Sequence, residues 1–79
     1  MKLNSGFEII RFSDVQYNEI TVEIQYKGEQ IIQLNKDKGV NMLEIEVLTH
    51  YFNSNFTPKF LLDDFISALE EARKIIQQQ

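Results

Sequence analysis

Seventy-nine residues suffice for one domain with a single modest core. Twelve acidic against eight basic side chains leave a formal charge of −4 and a pI near 4.8, which argues against nucleic acid as a direct partner and toward basic partners. With no cysteine, neither a disulfide nor a thiolate metal site can staple the fold, so the core must come from the 43% of residues that are hydrophobic.

The opening residues, Met1 to Gly6, lack the apolar run of a signal peptide, and no apolar run in the chain approaches the length of a membrane span. A soluble, cytoplasmic protein with no membrane contact is the expectation. Residues 7–12, Phe-Glu-Ile-Ile-Arg-Phe, read as a first strand rich in β-branched and aromatic side chains, with Ser13-Asp14 as the turn after it. The clearest strand is 19–26. Ile20, Val22, Ile24 and Tyr26 point one way, and Glu19, Thr21, Glu23 and Gln25 the other. Lys27-Gly28 supplies a tight hairpin into a third strand over 29–35, which buries Ile32 and Leu34 and leaves Ile31 nearer the other face.

Residues 35–41 form a polar, glycine-containing loop, expected to be exposed and mobile. A fourth strand over 42–48 alternates cleanly, with Leu43, Ile45 and Val47 inward and Glu44 and Glu46 outward. Between His50 and Phe60, Asn53-Ser54-Asn55 indicates a loop, while Phe52, Phe56 and Phe60 indicate docking on the core. Pro58 is compatible with a short fifth, edge strand over 56–60, although Thr57-Pro58 would also serve as a helix start. The last element is an amphipathic helix over 62–77. Leu62, Phe65, Leu69, Ala72 and Ile76 form its stripe, Leu61, Ala68 and Ile75 widen it, Asp63 and Asp64 lie in its first turn, and Arg73 and Lys74 lie near its end.

The expected architecture is α+β, a single domain over residues 1–79. An antiparallel four- to five-stranded meander sheet carries one C-terminal helix packed on one face. Its other face, with Glu19, Thr21, Glu23, Gln25, Gln33, Glu44 and Glu46, is expected to be acidic, flat and largely uncovered.

No catalytic constellation emerges. Glu44 and Glu46 share one side of a strand, but acid–base work needs a cleft that desolvates one carboxyl group, and a solvated strand face supplies none. His50 is the only histidine and, without cysteine, makes none of the usual zinc sets. The four serines fit no nucleophile elbow, and the three glycines are too far apart to cradle a phosphate. Tyrosines and phenylalanines without accompanying arginines read as core rather than as a base-stacking platform. The chain is expected to be no enzyme, with no cofactor and no metal.

Several segments together carry a resemblance. They are Phe7-Glu8-Ile9-Ile10 with Ser13-Asp14, Val22 to Gly28, Gly39 to Glu46, and Leu62 to Ala72. In pattern and order they resemble a family of small bacterial immunity proteins from polymorphic-toxin and contact-dependent growth-inhibition loci. One departure is Leu61, which stands where that pattern has a proline just before the helix. The resemblance implies an inhibitor that binds the toxic C-terminal domain of a cognate effector, a basic nuclease in many cases, and covers its active site or substrate surface.

Candidate toxin-binding residues come from the expected outer face: Glu23, Glu44 and Glu46, with Asp37 and Lys38 from the loop and Tyr26 as an aromatic anchor. Another surface, such as the His50–Asn55 loop, is the competing location. The alternative function is a non-catalytic structural or homodimerisation module pairing through sheet edges, motivated by Ile31, Met42 and Leu48.

Overall fold

The computed structural model describes residues 1–48, 55 and 57–78. Four strands, β1 (Phe7–Phe12), β2 (Thr21–Tyr26), β3 (Glu29–Asn35) and β4 (Glu44–Val47), precede one helix, α1 (Leu62–Gln77). The sheet is an antiparallel meander in the order β1-β2-β3-β4, so strand order in space equals strand order in the chain. Among the described residues there is no fifth strand. Residues 57–60 are irregular, and the Lys59 N–H turns back to the Thr57 carbonyl (2.8 Å) instead of entering a ladder. The rest of that expectation, Phe56, lies outside the described residues, as do His50, Phe52, Asn53 and Ser54.

The strands end where their backbone donors find other partners. β2 begins at Thr21 rather than Glu19, because the N–H groups of Asn18 and Glu19 both donate to the Asp37 carboxylate (3.2 Å each). β4 is shorter than 42–48 because the Met42 N–H closes a turn onto the Gly39 carbonyl (3.0 Å). Between β2 and β3 the two-residue turn has positive φ at both positions, Lys27 at 48° and Gly28 at 87°. That is the type I′ geometry, whose twist matches the flanking strands.

Ahead of β1 the chain doubles back. Leu3 N–H donates to the Phe7 carbonyl, and Ile9 N–H to the Met1 carbonyl (2.8 Å each), so residues 1–3 cover much of the outer edge of β1. Gly6 makes this reversal at φ +101°, with the Tyr26 ring close enough that a Cβ would sit 3.1 Å from its Cε1. Gly6→Ala is therefore expected to cost about 1 kcal/mol or more, read as a lowered urea midpoint with unchanged slope.

The core lies between one sheet face and α1. Phe7, Ile9, Val22, Ile24, Ile32 and Leu34 meet Ala68, Ala72 and Ile76, all buried. The two alanines are fully enclosed, and their small side chains let the helix backbone approach the sheet. At one end Phe7 anchors a ring cluster, with centroids 4.9 Å from Tyr26, 4.9 Å from Phe60 and 5.8 Å from Phe65. At the other end, the loop after β3 is tied to the helix C-terminus. Lys36 Nζ donates to the Ile76 carbonyl (3.3 Å), and Gln77 Nε2 to the Val40 carbonyl (3.1 Å). The loop is exposed, as expected, and two bonds fasten it to the end of the helix.

Helix bounds match the sequence expectation, but the stripe is narrower, since Leu61 (73% exposed) and Leu62 (71%) face solvent. Leu61 is the N-cap residue, with φ −64° and no side-chain cap bond. Proline imposes the same φ. Leu61→Pro is expected to fold normally and to raise stability by about 0.5–1 kcal/mol through the unfolded state, measurable in a urea titration.

Candidate functional site

Alternation along the strands gives the sheet two chemically distinct faces. On the face away from α1, Thr21 and Glu23 of β2 lie beside Gln33 and Asn35 of β3, with Glu44 and Glu46 on β4. This face was expected to be bare. Instead Thr21 (0%), Glu23 (5%), Gln33 (5%) and Asn35 (4%) are buried. Over Thr21 and Gln33 the chain after β1 folds back at Asp14. Gln33 Nε2 donates to Asp14 Oδ2 and to Thr21 Oγ1 (3.1 Å each), and the Thr21 hydroxyl donates to the Phe12 carbonyl (2.7 Å). A shallow pocket of about 280 Å³ remains, bordered by Asp14, Glu23, Gln33, Glu46 and Leu48.

The six candidate residues do not form one site. Glu23 is buried, and its Oε1 accepts from Gln25 Nε2 (2.7 Å). Tyr26 lies on the opposite, helix-facing side, in the ring cluster with Phe7 and Phe60, where its alternation already placed it. Asp37 is exposed and holds the Asn18 and Glu19 N–H groups. Lys38 Nζ pairs with Glu44 Oε2 at 2.9 Å, and Glu46 Oε1 accepts from the Tyr17 hydroxyl at 3.3 Å. Asp37, Lys38, Glu44 and Glu46 therefore share the β4 side of the sheet, and Glu23 and Tyr26 are not part of that surface.

Three groups carry shifted proton affinities. The Gln16 backbone N–H, then the Gln33 amide, hold the Asp14 carboxyl below the ordinary aspartate value. Lys38, through its hydrogen bond and its charge, does the same for Glu44. Partial burial, then the Glu46 carboxylate, pushes the Tyr17 phenol up. For the two carboxylates the sign is that of depressed groups: their support is complete above the normal carboxylate range and disappears as pH falls through their folded values. The denaturation midpoint is therefore expected to drop below about pH 4, and Asp14→Asn should flatten that drop.

What sequence periodicity missed is on the other face of β4. Ile45 and Val47 point to the helix side, as expected, yet they are 54% and 55% exposed. Strands lie about 4.8 Å apart, and a helix with its side chains is about 10 Å across, so one helix covers about two strands. α1 lies over β1, β2 and β3 and does not reach β4. An open groove of about 420 Å³ runs between them, lined by Leu34, Leu43, Ile45, Ile66 and Leu69. The signal was available in the element count: a four-stranded sheet with a single helix leaves part of one face unroofed. Conversely, Ile31 (3%) and Leu48 (4%) are buried, and of the three residues that motivated edge pairing only Met42 (63%) is exposed.

Among the described residues, no group of three histidine, cysteine or acidic side chains is placed to hold a metal ion. Nor, among the described residues, is any helix long and apolar enough to cross a membrane. Comparison with protein-family models, with the curated proteins and with the solved structures finds no match.

Proposed function

We propose that this chain is a non-catalytic inhibitor, an immunity protein that binds a basic toxin domain, of the nuclease kind, and covers its active site or substrate groove. One observation carries this reading. β4 exposes two glutamates on one side, which Lys38 and the Tyr17 hydroxyl contact but leave open to solvent, and two uncovered aliphatic side chains on the other. The motif order across residues 7–76 supports it, as does the acidic balance of the chain. A groove that holds phosphates is basic, so an acidic surface associates with it quickly and excludes nucleic acid by charge as well as by bulk.

Dimerisation through sheet edges is the weaker reading, because two of the three side chains that suggested it are buried. The test is to express the C-terminal domain encoded immediately upstream of this gene, with and without this chain. Rescue of growth, and a salt-sensitive complex of nanomolar affinity or tighter, are the expected results. An upstream gene whose product is harmless, or toxicity that this chain leaves untouched, removes the proposal.

A further inference from the structure

The phase of the β3–β4 ladder shows which backbone groups are left over. Leu48 N–H donates to the Ile31 carbonyl at 2.9 Å, which makes Ile31–Leu48 a hydrogen-bonded pair. Bonded and non-bonded pairs alternate in an antiparallel ladder. With Gln33 opposite Glu46 and Asn35 opposite Glu44, those two pairs are bonded as well. The N–H and C=O groups of Ile45 and Val47 therefore point away from β3, toward the outer edge of the sheet. Among the described residues no strand pairs with that edge, whereas residues 1–3 bond along the outer edge of β1.

We infer that β4 is a docking edge for one kind of occupant: an extended partner strand in which basic and aliphatic residues alternate. Its backbone pairs with Ile45 and Val47, its basic side chains fall beside Glu44 and Glu46, and its aliphatic ones extend the uncovered floor formed by Ile45 and Val47. Charge disfavours a second copy of the chain in the two registers that overlap β4 most fully. An antiparallel β4–β4 pair centred on Ile45 sets Glu44 against Glu46 of the other copy, and one centred on Glu46 sets that residue against itself. Like charges facing each other across strands are destabilising. The inference deepens the inhibitor proposal, and rests on it only for where the strand comes from.

The test uses a capped ten-residue peptide of alternating lysine and valine, with a control of the same composition at helical spacing. Binding is followed by fluorescence anisotropy and by amide NMR of the full chain. The alternating peptide is expected to bind, to protect the Ile45 and Val47 amides from exchange, and to show cross-strand contacts to β4. Val47→Pro keeps the ladder to β3, which does not use that N–H, and should weaken binding about tenfold through one lost main-chain bond and its apolar contact. Glu44→Gln with Glu46→Gln should weaken it comparably while lowering the melting temperature only slightly.

Equal binding of the helically spaced control, contacts confined to β1 or α1, or protection of the β4 amides by self-association in the absence of peptide would each overturn the inference. A toxin still neutralised by Val47→Pro as well as by the parent chain rejects this edge and leaves the inhibitor reading standing. A peptide that docks on β4 when no toxin is neutralised upholds the edge and removes only that reading.

Discussion

Phe7→Ala is expected to remove a large share of the domain's stability. The ring is 1% exposed and sits at the meeting point of Tyr26, Phe60 and Phe65, three aromatic partners contributed by β2, the pre-helix segment and α1. Truncating a buried phenylalanine costs about 3–5 kcal/mol, part from lost transfer and part from the cavity left behind. A chain of this length holds about 4–12 kcal/mol in total, so one side chain accounts for a large share of the whole. A melting temperature lowered by more than about 15 °C is the corresponding readout in circular dichroism. Phe7→Leu should recover much of the loss. A shift of only a few degrees for the alanine variant would mean that the ring cluster does not join helix to sheet.

The second large effect is on association. Reversing Glu44 and Glu46 to lysine together should slow complex formation with the basic partner by about ten- to a hundredfold at low ionic strength. The difference should shrink as salt is raised. Both residues are exposed, Glu44 beside Lys38 and Asn35 and Glu46 beside the Tyr17 hydroxyl, so folding stability should change little. Glu23→Lys is the informative contrast. That carboxylate is buried and bonded to Gln25, and a lysine there would disturb the fold before it disturbed any partner. Stopped-flow association over a salt series, together with a urea titration of each variant, separates the two cases. A double lysine variant that associates as fast as the parent chain at low salt would exclude electrostatic capture through β4.

Period-two alternation and a three-four apolar stripe are local properties, and both were legible. The bounds of β1, β3 and α1, the Lys27-Gly28 turn and the single-sided helix follow from residues close together in the chain. What the pattern could not convey is which polar side chains are buried, because Gln33 is held by Asp14, 19 residues away in the chain, and Thr21 by Gln33 in turn. The shortened start of β2 has a similar origin, with its donors taken by Asp37. Ile45 and Val47 show the reverse error. Alternation gives the side on which a residue lies, but burial also requires something opposite it, and here the helix is too narrow to provide it. Tyr26 shares the parity of Val22 and Ile24, which assigns it to the core side, away from the glutamates.

Since every strand neighbours the next one in the chain, most of the pairing that builds the sheet closes short loops. Such contacts cost little chain entropy to form, and topologies made of them reach the native state quickly for their size. The hairpin at Lys27-Gly28 can form from a dozen residues, whereas the ring cluster joins Phe7 to Phe65 across most of the chain. The meander can therefore assemble outward from its central turn, with the docking of α1 onto β1 as the closing step. Substitutions in that turn should act mainly on the folding rate, and those on the inner surface of the helix mainly on the unfolding rate.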